Sequence, residues 1–165
     1  MAKNRTIKED TAAFSRFLLL LTEACQALAL AICQDGEGVT KVVKIEVTGA
    51  ASAAQAKQVA QTIATSNLVK TALFGEDANW GRVMAAIGRA GVPITPSKLT
   101  VSFGEVPMVQ NGMGLGLGAE SRIAKVFRQK EFTIAVGLGQ GKQKAHMWTT
   151  DLSFDYVRIN ASYRS

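Results

Sequence analysis

Cysteine, histidine and aromatic residues are scarce in this chain. It has two cysteines and one histidine among 165 residues, and 7% of the residues are aromatic. Cys25 and Cys33 lie eight residues apart in one apolar helical pattern, which places their α-carbons about 12 Å apart, beyond the reach of a disulfide. We therefore expect buried thiols in a reducing compartment, and the few potential ligands form no recognisable metal site.

Charged residues are also few, at 19%, and the net charge of +6 comes from scattered lysines and arginines. The tightest basic groups are Lys125/Arg128/Lys130 and Lys142/Lys144, and a solvated surface accounts for both. Because a nucleic-acid-binding protein needs a denser basic stripe or exposed aromatic platforms, we expect no nucleic-acid partner.

The sequence lacks a long uninterrupted apolar run. Phe17–Leu21 is followed by Thr22, Glu23 and Gln26, well short of the 20 or so apolar residues of a membrane span. The polar start of the chain has no apolar core of a secretory signal. We predict no membrane segment and a soluble, cytoplasmic protein, since a hydrophobic fraction of 47% is enough for a packed core.

Two hydrophobic periodicities alternate along the chain and predict an α+β fold. Apolar residues recur every three or four positions over Thr11–Gln34, which predicts a long helix, and alternate with polar ones over Val43–Val47, which predicts a strand. Ser52 and Gln55 have the spacing of a capping box at the start of another helix. The remaining elements follow the same patterns: helices at 82–89 and 119–127, strands at 99–103 and 132–138, and a last extended stretch at 145–160. They predict a mixed sheet with packed helices.

The sequence also predicts a division of the chain into two parts of unequal size. Residues 1–66 and 144–165 are expected to form the main domain, and residues 67–143 a smaller α+β subdomain, after which the chain returns to the main domain. Pro93 and Pro96 bracket a boundary in this region.

A glycine-rich run gives a weak cofactor signal. Within residues 112–118 and just beyond, Gly114, Gly116 and Ala119 match a GxGxxA pattern. A dinucleotide site also needs a strand before the run and an acidic residue at the end of the next strand. The preceding strand is short, and the nearest acid, Glu131, opens a strand, so the run is interpreted as a flexible loop and no cofactor is predicted.

Two polar groups are better candidates for a site. Glu37 lies between two glycines at a helix-to-strand corner, where another body can approach and the carboxylate can meet an ammonium ligand. On pattern alone a solvated loop charge is the favoured alternative. Near the C-terminus, Asp151, Asp155, Arg158 and Asn160 predict either a pocket lining or an ordinary charged edge strand. His146 is interpreted as a packed or rim residue rather than a catalytic one.

Three longer motifs change this interpretation. They are Asp35-Gly-Glu-Gly-Val-Thr-Lys41, Leu68-Val-Lys-Thr-Ala-Leu-Phe-Gly-Glu-Asp-Ala-Asn-Trp-Gly-Arg82 and Trp148-Thr-Thr-Asp-Leu-Ser-Phe-Asp-Tyr-Val-Arg-Ile-Asn-Ala-Ser-Tyr-Arg-Ser165. In the order and spacing of these motifs, the chain resembles the ornithine acetyltransferase family, also called the bifunctional glutamate N-acetyltransferases of arginine biosynthesis. The resemblance runs from about Thr11 to the end, and the second motif is long and specific.

The resemblance implies an acetyltransferase made by self-cleavage. In that family a precursor cuts itself before a threonine, which then takes the acetyl group from N-acetylornithine and passes it to glutamate, while the two chains stay together. Such a threonine carries its general base in its own free α-amine. Its Ala-Thr-Met-Leu-like string is absent from this sequence. We therefore expect no catalytic residue here, a chain equivalent to the C-terminal part of the β subunit, and a hetero-oligomer with the N-terminal α chain and the start of the β chain.

Three substrate-binding positions carry over from the family. Glu37 matches the glutamate of Asp-Gly-Glu-Gly, expected to hold the amine of ornithine or glutamate, and Asn160 matches the asparagine of Arg-Ile-Asn-Ala. Ser165 stands where the family usually ends in threonine, so the hydroxyl is kept and the methyl is lost. The alternative function is a stand-alone, non-catalytic amino-acid-binding module.

Overall fold

Residues 6–116 and 120–162 are described by the computed structural model, and the predicted site residue Ser165 lies outside them. The chain divides into two units, one ending at Ile32 and the other beginning at Cys33.

Most of the first unit is the long helix α1 (Ala12–Gln34), which confirms the predicted helix. Thr11 precedes it, and its Oγ1 accepts a hydrogen bond from the N–H of Phe14 at 3.2 Å, as an N-cap does. Apolar residues occupy every face of α1, and none of its residues is buried. Both cysteines are free, and the prediction of buried thiols is wrong for Cys25, which is exposed.

The length of α1 bears on the membrane prediction. Among the residues that the structure describes, α1 is the one helix long and apolar enough to cross a membrane by length and composition. The polar side chains of Thr22, Glu23 and Gln26 therefore do not make the helix too polar for a span. A helix that is apolar on all faces is equally typical of a position inside a larger folded assembly.

The second unit is built on one mixed sheet of six strands in the order β4-β3-β2-β5-β1-β6. The strands are β1 (Val42–Ala50), β2 (Thr100–Phe103), β3 (Val106–Gln110), β4 (Met113–Gly114), β5 (Glu131–Gly137) and β6 (Gln143–Thr150). β1 pairs with β5 in parallel and with β6 antiparallel, and the other pairs are antiparallel. The α+β class with a mixed sheet is confirmed. The predicted division at residues 67 and 143 stays a prediction, and strands from both predicted parts join this sheet.

Five α-helices belong to the described part of the second unit. They are α2 (Ala53–Ala64), α3 (Asn67–Phe74), α4 (Trp80–Gly88), α5 (Glu120–Phe127) and α6 (Phe154–Ser162). Helices α2 to α5 contribute residues to its core, and no residue of α6 is buried. Ser52 starts α2 as predicted, because its Oγ accepts the N–H of Gln55 at 3.1 Å. The alternating residues of β1 and the apolar face of α2 are fully buried. About 25 cal/mol is gained per Å² of apolar surface removed from water, so this layer provides the main stabilisation of the second unit.

The predicted extended stretch at 145–160 is wrong beyond Thr150, where β6 ends. The chain turns at residues 151–153 and enters α6. Ser153 caps this helix, since its Oγ accepts the N–H of Tyr156 at 3.0 Å, and Asp155 lies in the first turn, where a negative charge is favourable. The apolar residues Leu152 and Phe154 continue the apolar–polar alternation of β6, so the sequence pattern still predicts a strand where α6 begins.

Candidate functional site

Glu37 and Asn160 lie in direct contact although 123 positions separate them in the sequence. Nδ2 of Asn160 donates a hydrogen bond to Oε2 of Glu37 at 3.1 Å, and also to the carbonyl of Tyr156, one turn earlier in α6, at 2.9 Å. Both side chains are exposed. The structure thus brings together two of the three predicted site residues. Their substrate-binding role stays a prediction.

Gly38 allows the loop of Glu37 to lie against α6. Its φ is +66°, and a Cβ at this position would lie 2.5 Å from the backbone N of Tyr156 and 2.8 Å from Oγ of Ser153. An L side chain is disfavoured at this φ and has no room. The hydroxyl of Ser153 donates to the carbonyl of Gly38 at 2.6 Å. The segment that packs against Gly38 is therefore the start of α6 in the same chain.

Gly38→Ala should lower the free energy of unfolding by about 1–3 kcal/mol, because it combines a strained backbone conformation with a steric overlap. Gly88→Ala is the matched control, since a Cβ on this helical residue meets nothing within 4 Å. The control should be neutral or stabilising by about 0.5–1 kcal/mol. Chemical denaturation of both variants measures the difference, and equal stabilities would contradict the packing described for Gly38.

A buried carboxylate fixes the far end of the same loop. Asp151 is 4% exposed, and its Oδ1 accepts the backbone N–H of Thr40 at 2.9 Å and of Lys41 at 3.0 Å. Its Oδ2 accepts the hydroxyl of Thr40. The N–H of Asp151 donates in return to the carbonyl of Lys41 at 3.2 Å. Hydrogen bonds to an ionised acceptor are roughly twice as strong as neutral ones, so this carboxylate is a strong anchor for the loop.

The other two members of the C-terminal polar group have a local role. Arg158 and Asp155 form an ion pair of 2.9 Å on the exposed surface of α6. Exposed pairs of this kind contribute at most about 1 kcal/mol. The group predicted from the sequence therefore divides into a buried anchor, Asp151, a surface pair, and Asn160 beside Glu37.

Two lysines near this anchor were missed by the sequence reasoning. Nζ of Lys41 donates to Oε1 of Glu76 at 2.9 Å, and the Lys41 side chain is 8% exposed. Nζ of Lys70 donates to Oγ1 of Thr150 at 3.2 Å. Burial lowers the pKa of Lys70, and the nearby charges of Asp151 and Cys33 act in the opposite direction. Lys70 and Glu76 both belong to the second motif, and that membership is the feature of the sequence that could have indicated them.

The rest of the second motif makes contacts within the fold. Oδ1 of Asn79 accepts the N–H of Arg82 at 3.1 Å and so caps α4, while its Nδ2 donates to Asp77 at 2.9 Å. Nη1 of Arg82 donates to the carbonyl of Leu68 at 2.9 Å, which ties α4 to α3. The polar residues of this motif therefore hold the connection between α3 and α4 in place.

The remaining candidates make no hydrogen bond to the Glu37–Asn160 pair among the described residues. Gly114 belongs to β4 and packs against the ring of Trp80, where a Cβ would lie 2.5 Å from the indole. Ala119, the end of the GxGxxA match, lies outside the described residues. His146 is exposed on β6 opposite Glu46 of β1. Within residues 6–116 and 120–162, no group of His, Cys, Asp and Glu could hold a metal ion.

Comparisons with known proteins agree with one another. A family model described as the ArgJ family matches residues 1–165. The arginine biosynthesis bifunctional proteins ArgJ of Desulfotalea psychrophila and Geobacter sulfurreducens are 48% and 47% identical to this chain over 164 residues, which is 99% of this chain. The chain spans only 42% of the length of either relative. The crystal structure of arginine biosynthesis bifunctional protein argJ from Bacillus halodurans matches with a TM-score of 0.90 and 38% identity, over 98% of this chain and 76% of that one.

Proposed function

The chain belongs to the ArgJ family, and on that premise we propose that it is the substrate-binding component of an acetyltransferase of arginine biosynthesis. The proposed reaction moves the acetyl group of N-acetylornithine to glutamate through an acyl-threonine. The observation that carries the proposal is the contact between Glu37 and Asn160, two residues that the family motifs mark as substrate-binding and that the fold places 3.1 Å apart.

The chemistry of this pair suits an amino-acid substrate. An ionised carboxylate has about four acceptor sites, so Glu37 can receive an ammonium group in addition to the amide of Asn160. The hydrogen bond donated by the amide of Asn160 favours one orientation of the carboxylate. A charged hydrogen bond to the substrate amine is then worth about 1.5–3 kcal/mol.

The exposure of the pair supports a site completed by further polypeptide. Small-molecule sites bury about 70–90% of their ligand, whereas Glu37 and Asn160 are both exposed. We infer that the N-terminal α chain and the start of the β chain supply the other wall. The reaction by this route requires only the small-molecule substrates, with no cofactor, metal or nucleic acid. We assign the resulting hetero-oligomer to the cytoplasm.

The nucleophile is also assigned to that further polypeptide. The sequence has no Ala-Thr-Met-Leu-like string. The nearest similar dipeptide, Ala64-Thr65, ends α2, where the Thr65 hydroxyl donates to the carbonyl of Gln61 at 2.8 Å. A threonine nucleophile needs a free α-amine beside its hydroxyl, and Thr65 is an internal helix cap.

Association with these partner segments can be measured directly. The tagged chain, expressed together with the N-terminal part of the Desulfotalea psychrophila relative, should purify as a stoichiometric complex. Alone, it should bind a hydrophobic dye and self-associate, because α1 is apolar on every face. Replacing two exposed leucines of α1 (Leu18→Lys with Leu28→Lys) should lower the dye signal. A monomer that binds no dye, ignores the partner and still binds N-acetylornithine would instead support the stand-alone binding module.

A further inference from the structure

The segment between β6 and α6 makes two ties to the loop that carries Glu37. Asp151 holds the backbone of Thr40 and Lys41 at one point, and Ser153 holds the carbonyl of Gly38 at the other. The same hydroxyl of Ser153 accepts the N–H of Tyr156 at 3.0 Å. One side chain therefore joins the residue after Glu37 to the first turn of the helix that carries Asn160.

These ties are stronger than the contact that they surround. Asp151 and Ser153 are 4% and 3% exposed, so water competes less with their hydrogen bonds than with a bond on the open surface. Glu37 and Asn160 are both exposed, and water competes for their single mutual hydrogen bond. A single surface hydrogen bond is a weak restraint on a loop, whereas the hydrogen bonds of Asp151 and Ser153 hold the backbone that follows Glu37.

We propose that Asp151 and Ser153 are positioning residues, which act on the substrate amine only by holding Glu37 against Asn160. This inference rests on the proposed function, in which Glu37 receives that amine. Since Glu37 receives the amine of the bound substrate in that proposal, loosening its loop should weaken substrate binding and raise KM.

The test uses the complete enzyme, assembled from this chain and the partner segments. Ser153→Ala removes the hydroxyl and should raise KM for N-acetylornithine roughly tenfold with a smaller change in kcat. Ser153→Thr restores a hydroxyl and should recover most of the loss. Asp151→Asn keeps an acceptor oxygen for the two N–H groups but loses the charge, and it should raise KM in the same direction. Asp155→Asn, on the exposed ion pair, is the matched control and should change KM less than about twofold.

A double-mutant cycle separates positioning from general stability. If Ser153 acts through the Glu37 carboxylate, Ser153→Ala should have little further effect on KM in a Glu37→Gln background. Effects that multiply, with Ser153→Ala raising KM equally in both backgrounds, would overturn the inference and leave the proposed function intact. If Ser153→Ala does not fold, the corresponding cycle of Asp151→Asn with Glu37→Gln distinguishes the same two outcomes. No acetyl transfer by the unsubstituted assembly would overturn the proposed function and the inference with it.

Discussion

Glu37→Gln should lower kcat/KM for acetyl transfer in the complete enzyme by roughly tenfold to a hundredfold and leave the fold unchanged. The variant keeps an acceptor oxygen for Nδ2 of Asn160, so the local contact at 3.1 Å can persist. It loses the negative charge that, in the proposed function, faces the substrate amine. A charged hydrogen bond is worth about 1.5–3 kcal/mol, and each 1.4 kcal/mol corresponds to a tenfold change in kcat/KM. Steady-state kinetics with N-acetylornithine and glutamate measure the effect on each substrate.

Glu46→Gln is the matched control for this change. Glu46 lies on β1 with its side chain 39% exposed, in an ion pair of 3.5 Å with Lys44. Exposed pairs contribute about 0–1 kcal/mol, so this variant should keep activity within about twofold. If both variants retain full activity, Glu37 is a solvated loop charge and the substrate-binding assignment fails.

The hydrophobic pattern was sufficient for most of the fold. Helix α1 and strand β1 follow from spacing alone, because their periods of 3.6 and 2 are properties of the local backbone. Helix α6 does not, since its start depends on Ser153, whose hydroxyl is held by the carbonyl of Gly38 far away in sequence. The cap itself is local, since Ser153 accepts the N–H of Tyr156, but Leu152 and Phe154 continue the alternation of β6 across it, so the hydrophobic pattern does not show where the helix begins.

The sequence indicates residues for the candidate site, whose role stays a prediction, but it does not indicate their geometry. The family motifs marked Glu37 and Asn160, yet no pattern indicated that they touch. The sequence pattern at Asp151 predicts either a pocket lining or an edge strand. It does not distinguish them, because the hydrogen-bond partners of Asp151 are Thr40 and Lys41, far away in the sequence. The ion pair of Lys41 with Glu76 was missed for the same reason.

The 165-residue chain alone should transfer no acetyl group. Covalent catalysis requires an activated nucleophile, and no threonine of this sequence follows the family pattern for one. In the proposed function the exposed Glu37–Asn160 pair holds the substrate amine and takes no part in forming or breaking the acyl bond. Binding without a nucleophile gives no turnover, so the expected difference between the isolated chain and the complete enzyme is larger than for any single substitution.

The most direct measurement is acetyl transfer from N-acetylornithine to glutamate before and after assembly. The purified chain should give no turnover, and the same chain assembled with the N-terminal part of a family relative should give a kcat in the ordinary range of about 1–1000 per second. Turnover in that range by the isolated chain, or none by a verified complex, would contradict the account.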